Sequence, residues 1–231
     1  MHMTAMHMSD RGLLALVRHE GIVPGPYLDI RRIWSFGIGH TGLAGPPDPG
    51  RLARGMPADL DAGIREAFRV FRADLGRYEA EVLRAVRVPL QPHEFDALVS
   101  FHYNTGGIAE AALTRALNAG NREAAAAAFL NWRRPASLVP RREAERDLFR
   151  HGRYPRGTIP VWPVDPLGRV NFDRPIRRLS EDEALALLRA ATLPSPSISA
   201  SPATPSPTTV LAPARWLTQL AGVVSHLTRR T

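Results

Sequence analysis

The sequence predicts a mostly helical α+β fold. Two observations predict it. Apolar residues recur at helical spacing through most of the first 190 positions, and β-branched and aromatic residues cluster in one short stretch, Tyr27 to Thr41. At 231 residues, 44% of them apolar, the chain is long enough for one well-packed domain with appendages.

The elements follow in order. Residues 1–8, MHMTAMHM, are expected to be a disordered leader. Ser9 and Asp10 open a helix carrying Leu13, Leu16, Val17 and Glu20 on helical spacing, and Gly21 supplies its C-cap. Pro24, Gly25 and Pro26 are expected to break the chain. Tyr27–Thr41 then reads as short strands around a polar turn at Arg31–Arg32, and residues 42–55 as a Pro/Gly-rich loop. Residues 58–86 form an amphipathic helix, with breaks expected at Gly63 and Gly76. Pro92 starts another helix with Phe95, Leu98, Val99 and Phe101 on one side, ended by Asn104-Thr105-Gly106-Gly107. Residues 108–118, 121–133 and 140–151 suit three shorter helices. Residues 158–174 suit a small β-hairpin, and Ser180 with Glu183 is a capping box for a last helix.

This divides the chain into a main domain over residues 9–154, a hairpin-plus-helix extension over 155–191, a Pro/Ser/Thr-rich linker over 192–209 and an amphipathic segment over 210–231. Within the last, residues 214–230 carry an apolar stripe suited to a membrane surface or a partner, but too short and too polar to span a bilayer.

Composition excludes several chemistries. Cysteine is absent, which removes disulfides, thiolate catalysis and cysteine metal sites. All 30 basic residues are arginine and the net charge is +8. A cationic surface attracts polyanions such as an acidic cell wall, but no nucleic-acid-reading module accompanies the charge, so no nucleic-acid partner is expected. No metal site is expected either, because His40 has no second ligand at ligating spacing. His40 instead suits a hydrogen bond fixing the β region against the helices. The amino terminus lacks the layout of a signal peptide.

The segment HEGIVPGPYLDIRRIWSFGIGHTG, residues 19–42, carries the chemistry. Glu20 and Asp29 are two carboxylates, and Ser35 adds a hydroxyl in a glycine-rich aromatic run. Glycoside hydrolysis needs one carboxyl to protonate the leaving oxygen and another to activate water or attack carbon. Glu20 falls in the last turn of its helix, where the negative end of the helix dipole and an apolar cleft wall favour the protonated acid. Asp29, on a more exposed segment, suits the ionised partner, with Ser35 as a second anchor for water. Each also has a plain structural alternative: Glu20 paired with Arg18 or Arg142, Asp29 a turn residue, Ser35 facing solvent.

These residues resemble a known family. His19-Glu20-Gly21, Pro26-Tyr27-Leu28-Asp29 and Trp34-Ser35-Phe36-Gly37-Ile38-Gly39-His40-Thr41 are similar to motifs of the phage-type lysozymes, or endolysins, of glycoside hydrolase family 24. So are Phe95–Phe101 leading into Asn104 and Gly106, Leu117–Gly120 followed by Phe129–Trp132, and Arg141–Phe149. The match covers residues 10–152.

The resemblance implies a lysozyme-like fold, with a small β-hairpin subdomain beside a larger helical lobe and a cleft between them. It implies cleavage of the β-1,4 bond between N-acetylmuramic acid and N-acetylglucosamine in peptidoglycan, with no cofactor, by Glu20, Asp29 and Ser35. Two departures stand out: the family usually has threonine at Ser35 and glycine at Arg32. His102 and Asn104 lie in a block that lines the cleft in such folds, with substrate contact and helix-end capping both open. Phe129 and Trp132 read as core, and Arg141, Arg142 and Arg146 as a solvated face.

A monomer is expected, made in the bacterial cytoplasm and reaching the periplasmic wall through holin-type or other release. Two alternatives remain. A lytic transglycosylase needs one catalytic Glu and no second carboxylate. A non-catalytic wall-binding or virion structural protein needs neither.

Overall fold

The computed structural model describes residues 6–191. The linker over 192–209 and the amphipathic segment over 210–231, with its expected membrane or partner contact, lie outside the described residues, as do residues 1–5.

Residues 6–8 are ordered against the domain, contrary to the expected leader. His7 Nδ1 lies 2.7 Å from Glu79 Oε2, the Met8 amide donates to Glu79 Oε1 at 2.8 Å, and the Met8 side chain joins the core. A carboxylate 71 residues away supplies that anchor.

The first helix, α1, runs Asp10–Glu20, capped by the Ser9 hydroxyl accepting from the Gly12 amide. Three antiparallel strands follow in order: β1 Val23–Leu28, β2 Trp34–Gly37 and β3 His40–Thr41. The expected break at Pro24-Gly25-Pro26 is instead part of β1. A register shift between Val23 and Tyr27 takes up the residues that cannot donate to the ladder.

Helix α2, Leu60–Ala85, is continuous, and neither glycine breaks it. Gly63 packs so closely on the loop before the helix that a Cβ there would sit 2.5 Å from Pro57 Cγ. Its role is close approach, and tertiary packing outweighs its poor helix propensity of about 1 kcal/mol.

Helix α3, Pro92–Thr105, is buried on all sides from Glu94 onward, not on one face. Its polar residues are tolerated inside because each has a partner. Asp96 accepts from the Ser9 hydroxyl at 2.6 Å and from Tyr154 at 2.7 Å, and Glu94 accepts from Arg122 at 2.8 Å. Helices α4 Ala112–Asn118, α5 Arg122–Ala128 and α6 Val139–His151 complete the lobe around α3. Phe129 is buried and Trp132 packs edge-on to Phe101, both as core residues.

The small hairpin expected over 158–174 forms around the Asp165–Gly168 turn, and a second strand pair encloses it. Strand β4, Ile159–Val161, pairs antiparallel with β5, Arg177–Leu179, and the loop between them closes on a Val164–Val170 bridge. Helix α7, Glu181–Ala190, carries the expected capping box. Ile159, Val161, Leu179 and Leu188 belong to the same buried cluster as α1–α3. Val161 also bridges Ile22 in parallel, so the extension joins the core. No helix among the described residues is long and apolar enough to cross a membrane.

His40 ties the β subdomain to the lobe, as its position suggests. Its Nδ1 lies 2.9 Å from Asp74 Oδ2 on α2, and its Nε2 lies 2.7 Å from the Pro47 carbonyl. Burial alone would lower the imidazole pKa, but the Asp74 and Pro47 hydrogen bonds and the Asp74 charge outweigh it and raise the value. A raised folded pKa means that the native state holds this proton more tightly than the unfolded chain. The stabilisation is therefore complete below the unfolded value, about 6.5, and is lost as pH rises through the folded one. Denaturant titrations of wild type and His40→Gln between acid and mildly alkaline pH should give a stability difference that shrinks as pH rises. A difference that is constant or grows would contradict the ion pair.

Candidate active site

A groove opens between the β subdomain and the helical lobe. Glu20, Asp29 and Ser35 all line it. Glu20 arrives at the end of α1. Asp29 directly follows β1, and Ser35 lies on β2 with its Cα opposite Tyr27 and Thr41.

Asp29 is held by the turn it starts. Its Oδ1 accepts from the Arg31 amide at 2.7 Å and the Ile33 amide at 2.8 Å, while its carbonyl accepts from the Arg32 amide at 2.9 Å. Asp29 is thus both a turn residue and a groove carboxylate. The turn places Arg32 at φ +65, the one non-glycine residue in the left-handed region among the described residues. A side chain there costs about 1–2 kcal/mol, which explains why glycine suits the position. Arg32→Gly should raise stability by about 1 kcal/mol, read as a shift in denaturation midpoint at constant slope.

Ser35 is buried, with a long 3.4 Å bond to the Ile33 carbonyl. The Tyr27 phenol belongs to the residue opposite Ser35 in the strand register. Burial raises that phenol's pKa, and the charges of Glu20 and Asp29 raise it further, so Tyr27 sits within the field of both carboxylates. Thr41 adds a second buried hydroxyl to the groove, and its Oγ1 has no hydrogen-bond partner among the described residues.

Glu20 pairs with neither Arg18 nor Arg142. Its Oε1 accepts from Arg141 Nη1 at 2.6 Å. Arg18 instead reaches Glu181 on α7 at 3.0 Å. The expected solvated arginine face is therefore corrected at two positions: Arg141 is 5% exposed and Arg142 fully buried, while Arg146 stays partly exposed and pairs with Asp147. Charge compensation permits this burial. Arg141 Nε donates to Glu145 Oε1 at 3.0 Å and Nη2 to the Ser100 carbonyl at 3.2 Å. Arg142 pairs with Glu145 Oε2 at 2.6 Å and donates to Asn104 Oδ1. Burial pulls down the pKa of Arg141, but Glu20 and Glu145 more than restore it. Burial pushes Arg142 down to about 10, with Glu145 opposing and Arg141 adding to the effect. Burial, with the charges of Arg141, Arg142 and Arg18, holds the His19 pKa well below its ordinary value.

The two tentative substrate contacts separate. Asn104 lines the groove, where its Oδ1 is taken by Arg142. His102 does not line it: it is buried with Nε2 2.6 Å from Glu81 Oε2 on α2, and Nδ1 accepts from the Ile108 amide at 3.4 Å. Both ring nitrogens are thus engaged inside the protein, away from the groove lining. Sequence reasoning missed Arg141, Thr41 and Phe172, all of which line the groove. The spacing of Arg141 and Arg142 from Glu145, four and three residues, was the signal available for the first.

The described residues hold no group of three or more His, Cys, Asp or Glu suited to a metal ion.

Comparison with known proteins points to one family. The phage lysozyme family model matches residues 17–145. The endolysin of Salmonella phage P22 is 38% identical over 150 residues, covering 62% of this chain and 98% of that protein. Among solved structures, the endolysin from Escherichia coli O157:H7 phage FAHEc1 superposes with a TM-score of 0.57 at 27% identity, over 66% of this chain and 99% of that one. The muramidase domain of SpmX from Asticaccaulis excentricus does so with a TM-score of 0.50 at 25% identity, over 62% and 97%. With its sequence motifs, its fold and its groove in agreement, the chain belongs to the phage lysozyme family and is a peptidoglycan hydrolase.

Proposed function

We propose that this enzyme cleaves the β-1,4 bond between N-acetylmuramic acid and N-acetylglucosamine and so lyses the bacterial wall. One observation carries the reading: Glu20, Asp29 and Ser35, from three different elements, line one groove.

Glu20 acts as general acid. Arg141 occupies its Oε1, which orients the carboxyl and leaves Oε2 to carry the proton to the glycosidic oxygen. As the bond breaks, positive charge develops on the sugar ring. Asp29, pinned through Oδ1 by two backbone amides, holds a water on the far side of the ring and accepts its proton as the water attacks the anomeric carbon. Ser35 and the unpartnered Thr41 hydroxyl supply further hydrogen bonds for that water. The product is a reducing N-acetylmuramic acid end, formed with inversion.

A lytic transglycosylase would have no use for Asp29 in the groove. Incubation of the purified chain with peptidoglycan, followed by mass spectrometry of the new ends, tests the reading. Reducing N-acetylmuramic acid ends are expected. Reducing N-acetylglucosamine ends would reassign the bond, 1,6-anhydro ends would indicate the transglycosylase, and intact peptidoglycan would favour a non-catalytic wall-binding protein.

A further inference from the structure

Four aromatic residues line the groove: Tyr27, Tyr78, Tyr103 and Phe172. The three tyrosines are buried, and Phe172 alone of the four is partly exposed. It lies beyond residues 17–145, on the loop between β4 and β5.

That loop is a fixed strap across the catalytic hairpin. The Leu28 amide, one residue before Asp29, donates to the Gly168 carbonyl at 2.8 Å. Gly168 packs so tightly on the Trp34 ring, next to Ser35, that a Cβ would lie 2.6 Å from Cζ3. Trp34 is therefore occupied, with the Arg54 guanidinium 3.5 Å from its ring centroid. The strap closes on itself through the Asp165 amide to the Arg169 carbonyl at 3.0 Å and the Asn171 amide to the Pro163 carbonyl at 3.0 Å. Phe172 follows directly and rests edge-on against buried Trp162, with ring centroids 5.6 Å apart at 69°.

We propose that Phe172 is a substrate-contact residue, packing the exposed part of its side chain on a pyranose ring of the glycan strand at the β-subdomain side of the groove. The inference rests on the muramidase reading above. A pyranose presents a face of C–H groups while its hydroxyls and acetamide point outward. An aromatic ring suits that face, and the polar groups around it suit the rim. The T-shaped contact with Trp162 holds the ring in place, so little side-chain freedom is lost on binding. The strap thus adds a sugar contact on residues outside the stretch matched by the family model.

The test is steady-state kinetics of the full chain on solubilised, uncrosslinked peptidoglycan strands, for wild type, Phe172→Ala, Phe172→Leu and Phe172→Trp. Phe172→Ala should raise KM about tenfold with kcat within about twofold, the mark of lost binding rather than lost chemistry. Phe172→Leu, which keeps an apolar contact with Trp162 but has no flat face, should behave like Phe172→Ala, and Phe172→Trp should stay near wild type. A wild-type KM in Phe172→Leu would assign the residue to packing and overturn the proposal, even if Phe172→Ala failed to fold. Absence of cleavage by the wild-type chain would instead overturn the muramidase reading, and this inference with it.

Discussion

Glu20→Gln should lower the rate of peptidoglycan hydrolysis by about 10³-fold or more while the fold stays intact. An amide cannot donate the proton that a departing sugar oxygen needs, and loss of a positioned acid costs roughly 10²–10⁴ in rate, rising where the group acts as part of a unit. The fold should survive because Arg141 is not orphaned by the change. It keeps Glu145 at 3.0 Å and the Ser100 carbonyl at 3.2 Å. Asp29→Asn should show a comparable loss, since the amide oxygen can still accept from the Arg31 and Ile33 amides while it is no longer a base. Turbidity loss of a wall suspension, alongside a melting curve, reads both. A Glu20→Gln variant retaining more than about a tenth of the wild-type rate would remove it from the acid role. Arg141→Ala gives the contrast: it removes the partner of Glu20 and leaves Arg142 as the one arginine on buried Glu145, with an expected loss of about 3–5 kcal/mol of stability.

Shortening the chain should have opposite outcomes at two positions. Ending it after residue 191 should leave hydrolysis of purified peptidoglycan and the melting transition unchanged. Ending it after residue 154 should abolish cooperative folding. The second cut removes Ile159, Val161, Leu179 and Leu188, each fully buried in the main core. At roughly 1.5–3 kcal/mol per buried side chain, these four represent about 6–12 kcal/mol. That is comparable to the whole stability of a domain, about 5–15 kcal/mol. It would also leave Arg18 without Glu181 and expose the Ile22 edge where Val161 and Trp162 now pair. Soluble yield and chemical denaturation of the two truncations decide the matter. A cooperative transition in the shorter chain would make the 155–191 segment an accessory.

Much of the helical layout was legible in local pattern. Periodicity located α1, α2 and α3, and the Ser180–Glu183 capping box located the start of α7, because these signals act over three or four residues. Local pattern failed where a distant partner decided the outcome. Gly63 and Gly76 read as helix breaks, yet α2 is continuous because one face of it packs against the strands, α3 and α7. Pro24 and Pro26 read as a break, yet a bulge lets them stay in β1. Phe95–Phe101 read as one apolar face, yet α3 is enclosed because its polar residues meet partners from four other parts of the fold: Ser9, Tyr154, Arg122 and Glu81.

The candidate site divides the same way. The sequence by itself determined Glu20, Asp29 and Ser35 as candidates, because one helix end, one turn and one strand place them within a single stretch of 16 residues. It also located a polar turn at Arg31–Arg32, while the left-handed conformation of Arg32 emerged only in the folded chain. Only the tertiary structure decided what surrounds them. Arg141 lies 121 residues from Glu20, and Phe172 143 residues from Asp29. A charged side chain reads as exposed until its counter-charge is known, and an aromatic on a loop reads as incidental until its neighbours are. Desolvation and packing are properties of assembled surfaces, and they are settled only when distant segments meet.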